Sequence, residues 1–221
     1  MHGFQHILFD LDGTLIDSAP AILASYHDAF ASARVEPAIT IDASIVGPPL
    51  RETLELLSGS DDPVLLDELA AHFKASYDTR GYKATAAYPG VNDLLSALVA
   101  QRRRLAIATN KRLHPTRLIL QHLGWSAFFD AVYALDMCTP RLPDKATMIG
   151  RLLMDHAIPR GSAVYVGDRL EDGESATLNS LPFYAATWGY GSIEPREMED
   201  GWQAFATPAA LQAALLSPGY G

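Results

Sequence analysis

Two carboxylates one residue apart, Asp10 and Asp12, stand at the end of an apolar run in the stretch Phe9-Asp10-Leu11-Asp12-Gly13-Thr14-Leu15. On an extended segment residues i and i+2 point the same way. Both acids can then face one small volume, where their like charges repel and something must offset them. A divalent cation does so, and Mg²⁺ prefers oxygen ligands with some water retained. Gly13 allows a backbone turn, and Thr14 can supply a hydroxyl. The alternative is a surface turn, in which Asp and Gly are common.

Three further polar groups follow apolar runs. Thr109-Asn110-Lys111 closes Leu105–Thr109, just ahead of a helix near Pro115. Its hydroxyl, amide and backbone donors suit an anion, although Thr and Asn also cap helices routinely. Gly167-Asp168 closes Ala163–Gly167, with Asp172 four residues later. That pattern adds a metal ligand and a partner behind it; the simpler alternative is that Asp168 caps a helix beginning at Arg169. Lys145 stands ahead of the helical pattern Met148, Ile149, Leu152, Leu153, where a cation is poorly placed for the helix dipole. Pairing with carboxylates or with a phosphoryl group would explain it; the alternative is a surface lysine.

The elements that must position these groups are strands alternating with helices. Strand runs fall at His6–Leu11, Leu105–Thr109, Ala131–Leu135, Ala163–Gly167 and Phe183–Thr187. A helical pattern runs from Val91 to Gln101 after the turn Pro89-Gly90, and another from Pro115 to Gly124. The alternation predicts βαβ units and a Rossmann-like parallel sheet in a three-layer α/β/α core. Ligands belong at the carboxyl ends of such strands. Between about Asp17 and Ala87 only helical patterns occur, with Ile22, Tyr26, Ala29 and Ala33, then Leu66, Leu69, Phe73 and Tyr77, at helical spacing. The segment is too long for a crossover and reads as an inserted α-helical cap domain. The expected division is 1–16 with 88–221 for the core and 17–87 for the cap, with hinges near 16–18 and 84–89.

Composition narrows the function. A formal charge of −9 over 221 residues argues against a nucleic-acid partner. The densest basic run, Arg102-Arg103-Arg104, reads as the solvated end of a helix. The single cysteine, Cys138, excludes an internal disulfide. No secretory signal and no membrane span is visible, so a cytoplasmic protein is expected. The histidines lack metal-ligand spacing, and His114 and His156 read as helix or surface residues.

In order and strand placement, Asp10-Leu11-Asp12-Gly13-Thr14, Thr109-Asn110, Lys145 and Gly167-Asp168 with Asp172 resemble the four motifs of the haloacid dehalogenase-like hydrolase superfamily. Tyr88-Pro89-Gly90-Val91 and Ala108-Thr109-Asn110-Lys111 resemble its phosphoglycolate phosphatase-like branch, which carries a helical cap of the C1 type. The resemblance implies a Mg²⁺-dependent phosphatase acting on a small phosphorylated metabolite. Asp10 would form an aspartyl-phosphate, and Asp12 would protonate the leaving oxygen and then deprotonate water. It further implies that Mg²⁺ is held by the Asp10 side chain, the Asp12 carbonyl and Asp168. Asp172 would act through water or by positioning Lys145, while Thr109, Asn110 and Lys145 would bind the phosphoryl group. Asp12 argues against dehalogenation, because dehalogenase relatives lack that second acid.

The resemblance leaves three matters open. Many relatives carry the lysine in Lys-Pro-x-Pro, whereas here the region reads Thr139-Pro140-Arg141-Leu142-Pro143-Asp144-Lys145, so either Lys145 or Arg141 fills the role, and Lys145 is expected because it directly precedes the apolar helical run. Arg51, after the turn Gly47-Pro48-Pro49, either reads a substrate carboxylate or second phosphate or pairs with Glu55 at i, i+4. Arg80-Gly81-Tyr82-Lys83 is a lesser candidate of the same kind, otherwise an exposed turn. A phosphomutase of the β-phosphoglucomutase type would use the same motifs, and a non-catalytic binding protein would keep only the fold.

Overall fold

The computed structural model describes residues 3–191 and 193–217. The apolar run near the N-terminus forms β1 (His6–Phe9) at the interior of a parallel sheet. The chain then leaves the sheet through β2 (Ile16–Asp17), runs through α1 (Ala19–Ala33), α2 (Leu50–Ser58) and α3 (Pro63–Tyr77), and returns through β3 (Ala86–Ala87). A regular alternation follows: α4 (Val91–Ala100), β4 (Arg104–Thr109), α5 (Leu113–His122), β5 (Phe129–Ala134), α6 (Lys145–Asp155), β6 (Ala163–Gly167), α7 (Leu170–Leu178), β7 (Phe183–Ala186), β8 (Gln203–Phe205) and α8 (Pro208–Leu216). The six-stranded sheet has the order β5-β4-β1-β6-β7-β8, with every neighbouring pair parallel.

Strand alternation divides the core in two. Ile7, Phe9, Leu105, Ile107, Val164 and Val166 face one side, where Leu94, Leu98, Ile119 and Leu211 cover them. Leu8, Ala106, Ala108 and Tyr165 face the other, against Met148, Ile149, Leu152 and Ala176. Both faces are therefore buried, which is why these strands read as continuous apolar runs. The layers are the α/β/α arrangement that the sequence predicts.

Register decides what the strand ends can share. Phe9 lies opposite Ile107 on one side and Val166 on the other. Asp10, Thr109 and Asp168 consequently leave three neighbouring strands at the same edge of the sheet.

Between β1 and β4 the helices pack on one another. Tyr26 of α1 meets Phe73 of α3 with ring centroids 4.5 Å apart, and Phe73 stacks on Tyr77 at 5.6 Å. Helix α3 begins as its sequence dictates, with Pro63 in the first turn and Asp62 accepting from the Val64 N–H at 3.0 Å. Among the described residues no helix is long and apolar enough to cross a membrane.

Some details differ from the sequence reading. The segment 17–87 is not strand-free, because β2 and β3 pair antiparallel, Ile16 with Ala87 and Asp17 with Ala86. Strand β8 carries no apolar run; besides its backbone register it meets β7 through Phe205, whose ring centroid lies 4.9 Å from that of Tyr184. The run Arg102–Arg104 spans a helix end and a strand start: the Arg102 and Arg103 N–H groups donate to the Val99 and Leu98 carbonyls of α4, and Arg104 opens β4 and pairs with Asp130 at 2.6 Å.

Leu8 is fully buried on the central strand. Leu8→Ala should destabilise the fold by about 2–5 kcal/mol, read from the urea midpoint with an unchanged m-value.

Candidate active site

The turn after β1 is closed by its own backbone. The Leu15 and Ile16 N–H groups donate to the Leu11 carbonyl at 2.9 and 3.1 Å, and the Gly13 N–H donates to the Ile16 carbonyl at 2.9 Å. Gly13 has φ +84°, and a Cβ there would run into the Asp168 carboxylate. This turn needs glycine both for its left-handed backbone and for the close approach of β6.

Asp10, Asp168 and Asp172 are all buried, and one carboxylate oxygen of each lies within 4.8 Å of the others. Lys145, 2% exposed, reaches into the group, with Nζ 2.5 Å from Asp172 and 3.2 Å from Asp10. Asp168 accepts from the Thr14 hydroxyl at 3.1 Å and from the Gly191 N–H at 2.8 Å. Asp172 also accepts from the Asp168 and Arg169 N–H groups at 3.1 and 3.0 Å. It is thus Asp172, in the first turn of α7, that satisfies the helix start; Asp168 remains directed into the cluster.

Charge in this volume is unbalanced. Burial pushes Asp10 from its ordinary 3.8 up to about 7, helped by Asp172 and Asp12 and opposed by Lys145. Asp168 is raised well above the usual carboxylate range by burial, then by Asp172 and Asp10. Burial pulls the Lys145 ammonium down, but Asp10 and Asp172 outweigh it and hold the group well above its ordinary value.

Asp12 is partnered differently from Asp10. Its two oxygens take Lys111 Nζ at 3.0 and 3.1 Å, and the Ser18 hydroxyl donates to it. Lys111 in turn lies 4.5 Å above the centre of the Tyr77 ring. A cavity of about 50 Å³ opens here, lined by Asp12, Lys111, Tyr26, Phe73, Tyr77 and Val46 among others.

The remaining predicted residues fall in three places. Thr109 is buried, and its hydroxyl accepts from the Lys111 N–H at 3.3 Å. The Asn110 amide donates to Glu171 at 3.0 Å and to the Gly47 carbonyl at 3.4 Å. Arg51 does not reach the cluster: it is 47% exposed and pairs with Glu55 at 3.4 Å and Asp67 at 3.1 Å. Arg141, 42% exposed, pairs with Glu52 at 3.1 Å, so Lys145 and not Arg141 stands against Asp10.

The sequence reading missed the contacts that seat the helical segment. Arg169 donates to the Val46 carbonyl, and Arg112 holds Asp78 at 2.5 and 2.8 Å. It also gave Lys111 no role. The available signal was the one used for Lys145: a lysine just ahead of a helix, where the dipole disfavours it.

These strand ends and their acids define a Rossmann-like core with its polar groups gathered at one edge. The family model for haloacid dehalogenase-like hydrolases matches residues 7–186. Among relatives, the tyrosine-protein kinase PtkA of Mycobacterium tuberculosis is 31% identical over 191 residues, 86% of this chain and 64% of that protein. The chain therefore spans about two thirds of the length of this relative. A phosphoglycolate phosphatase of Xylella fastidiosa is 31% identical over 200 residues, covering 90% of this chain and 86% of the relative. The crystal structure of a protein described as a predicted phosphatase, from Clostridium acetobutylicum, superposes with a TM-score of 0.84 at 27% identity, covering 96% and 98% of the two chains. The chain belongs to the haloacid dehalogenase-like hydrolase family and is phosphoglycolate phosphatase-like within it.

With a folded pKa above its ordinary value, Asp10 loses stability on ionising between pH 3.8 and about 7. Without Lys145 that loss grows. In a chelating buffer, Lys145→Met should cost about 3–5 kcal/mol near pH 8 in urea unfolding. The deficit should shrink as the pH falls through 7 toward 4; one that ignores pH would deny Lys145 its role as counter-charge.

Proposed function

We propose that the protein is a Mg²⁺-dependent phosphatase that hydrolyses a small phosphorylated metabolite through an aspartyl-phosphate on Asp10. The observation that carries the reading is the buried trio Asp10, Asp168 and Asp172 around a single lysine at the sheet edge. The donor set fits a hard divalent cation: its ligand atoms are carboxylate oxygens that lie within 4.8 Å of one another, and a cation would favour the ionised form that burial opposes on two of them. Asp10 and Asp168 would hold Mg²⁺ by their side chains and Asp12 by its carbonyl. When bound, the ion would neutralise charge on the phosphoryl oxygens and on the carboxylates around them.

The chain's own groups divide the rest of the work. An Asp10 oxygen bonds to phosphorus as the bond to the leaving oxygen breaks, and Asp12 gives its proton to that oxygen, so the alcohol departs neutral. Asp12, now a carboxylate, takes a proton from the water that attacks the phosphoaspartate. This restores Asp10 and releases inorganic phosphate. Lys145 and Thr109 bind the phosphoryl oxygens, and Asp172 orients Lys145 through their 2.5 Å contact. Asn110, held by Glu171 and Gly47, supports this edge of the site. In this reading residues 17–87 form the cap over a core of 1–16 and 88–221, and the enzyme works in the cytoplasm. Arg51, paired to Asp67 and Glu55, lines a neighbouring cavity with Asn110 and Arg112.

The test is turnover of p-nitrophenyl phosphate and a panel of phosphorylated metabolites with and without Mg²⁺, scored by inorganic phosphate. Wild type should release phosphate only with the metal, Asp10→Asn should fall to background, and Asp12→Asn should lose about 10²–10⁴-fold. Isomerised sugar phosphate without phosphate release, or a trapped phosphoryl label on a residue other than Asp10, would overturn the proposal.

A further inference from the structure

Lys111 has no part in the scheme above, yet it is among the most enclosed charges in the molecule. Its side chain is 6% exposed. Burying an ammonium is costly unless it is paired, and here the pair is bidentate on Asp12, at 3.0 and 3.1 Å. The opposite side of the ammonium is covered by the Tyr77 ring at 4.5 Å, a cation–π contact that gains strength where water is excluded. Tyr77 is the last residue of α3, whereas Asp12 belongs to the turn after β1. A single cation thus joins the acid to the helical segment.

Two further contacts restrict Asp12. Ser18 donates to the carboxylate, and the Ser18 oxygen lies 3.1 Å from the Tyr190 hydroxyl. Asp10 is partnered by a different cation, Lys145, at 3.2 Å. The two acids, one residue apart, are each assigned their own lysine.

We propose that Lys111 is the positioning residue for Asp12: it holds and stabilises the carboxylate left when the proton goes to the leaving oxygen, and it does so only while Tyr77 covers it. The inference rests on Asp12 being the proton donor. Negative charge develops on Asp12 as its proton departs, and a fixed cation beside it lowers the barrier to that transfer. Because α3 supplies the covering ring, the transfer works fully only with the helical segment seated.

A series of aryl phosphates separates this role from simple support of the fold. The p-nitrophenolate ion leaves readily without a proton, whereas phenolate and p-methoxyphenolate depend increasingly on one. Lys111→Met should lose about 10²-fold in kcat/KM on phenyl phosphate but less than about 10-fold on p-nitrophenyl phosphate. Lys111→Arg should recover most of the difference. Tyr77→Leu should show the same leaving-group-selective loss as Lys111→Met, whereas Tyr77→Phe, which keeps the ring face, should show no such selectivity whatever its overall rate. The Tyr77 pair carries the test if Lys111→Met does not fold. Asp12→Asn is measured alongside. If it shows the leaving-group-selective loss while Lys111→Met and Tyr77→Leu lose equally across the series, Lys111 is structural only and the inference fails. If Asp12→Asn also loses equally across the series, the proton-donor reading itself fails.

Discussion

Three carboxylates compressed into one buried volume set the terms for everything around them. Left alone they would repel one another or take up protons, and burial drives Asp10 and Asp168 that way. One ammonium, Lys145, offsets part of the charge. A cation at the carboxyl edge of the sheet would favour the ionised form of the acids that burial opposes. Such a site survives in a folded chain only if its acids cannot swing away from one another.

The fold prevents that swing with backbone hydrogen bonds. Asp172 is held by the N–H groups that open α7, and Asp168 by the Gly191 N–H and the Thr14 hydroxyl. The Asp10 N–H donates to the Val166 carbonyl at 2.8 Å, continuing the β1–β6 ladder into the site. The interactions that start a helix and extend a sheet are therefore the ones that aim the carboxylates, and no separate scaffold is required. Gly13 serves the same end by letting β6 come close enough for Thr14 to reach Asp168.

How much of this was legible follows from the range of each interaction. Asp10, Asp168 and Lys145 could be read because each follows or precedes an apolar run whose burial is a local property of the sequence, and parallel register brings such ends together. The choice of Lys145 over Arg141 had one local ground, the apolar helix that Lys145 opens. The rest turned on which cation reached Asp10 across 135 residues and which reached Glu52 on the surface. Arg51 was undecidable: the i, i+4 partner was visible, but Asp67, which lies on another helix, was not. Strand β8 escaped notice because it has one partner and hardly any burial of its own, so no apolar pattern marks it. Lys111 is different, since the dipole argument applied to it as well as to Lys145.

The contacts between the helical segment and the strand ends include a side-chain ion pair, Arg112 with Asp78, and two further kinds. Those at the 46–47 turn are made to backbone carbonyls: Arg169 to Val46, and Asn110 to Gly47, whose φ of +126° and missing Cβ admit the Arg169 side chain. The cavity wall, by contrast, is made of side chains: Tyr26, Phe73, Tyr77 and Val46 against Asp12 and Lys111. Carbonyl contacts tolerate side-chain change along most of the segment, whereas every substitution in the wall alters the shape and polarity of what fits. Seating the segment and shaping the cavity overlap at Asn110, Arg112 and Tyr77, which line the cavity and also hold Gly47, Asp78 and Lys111 respectively, whereas Tyr26 and Phe73 belong to the wall. A wall built this way can be altered at Tyr26 or Phe73 without loosening the polar contacts that hold the segment against the strand ends.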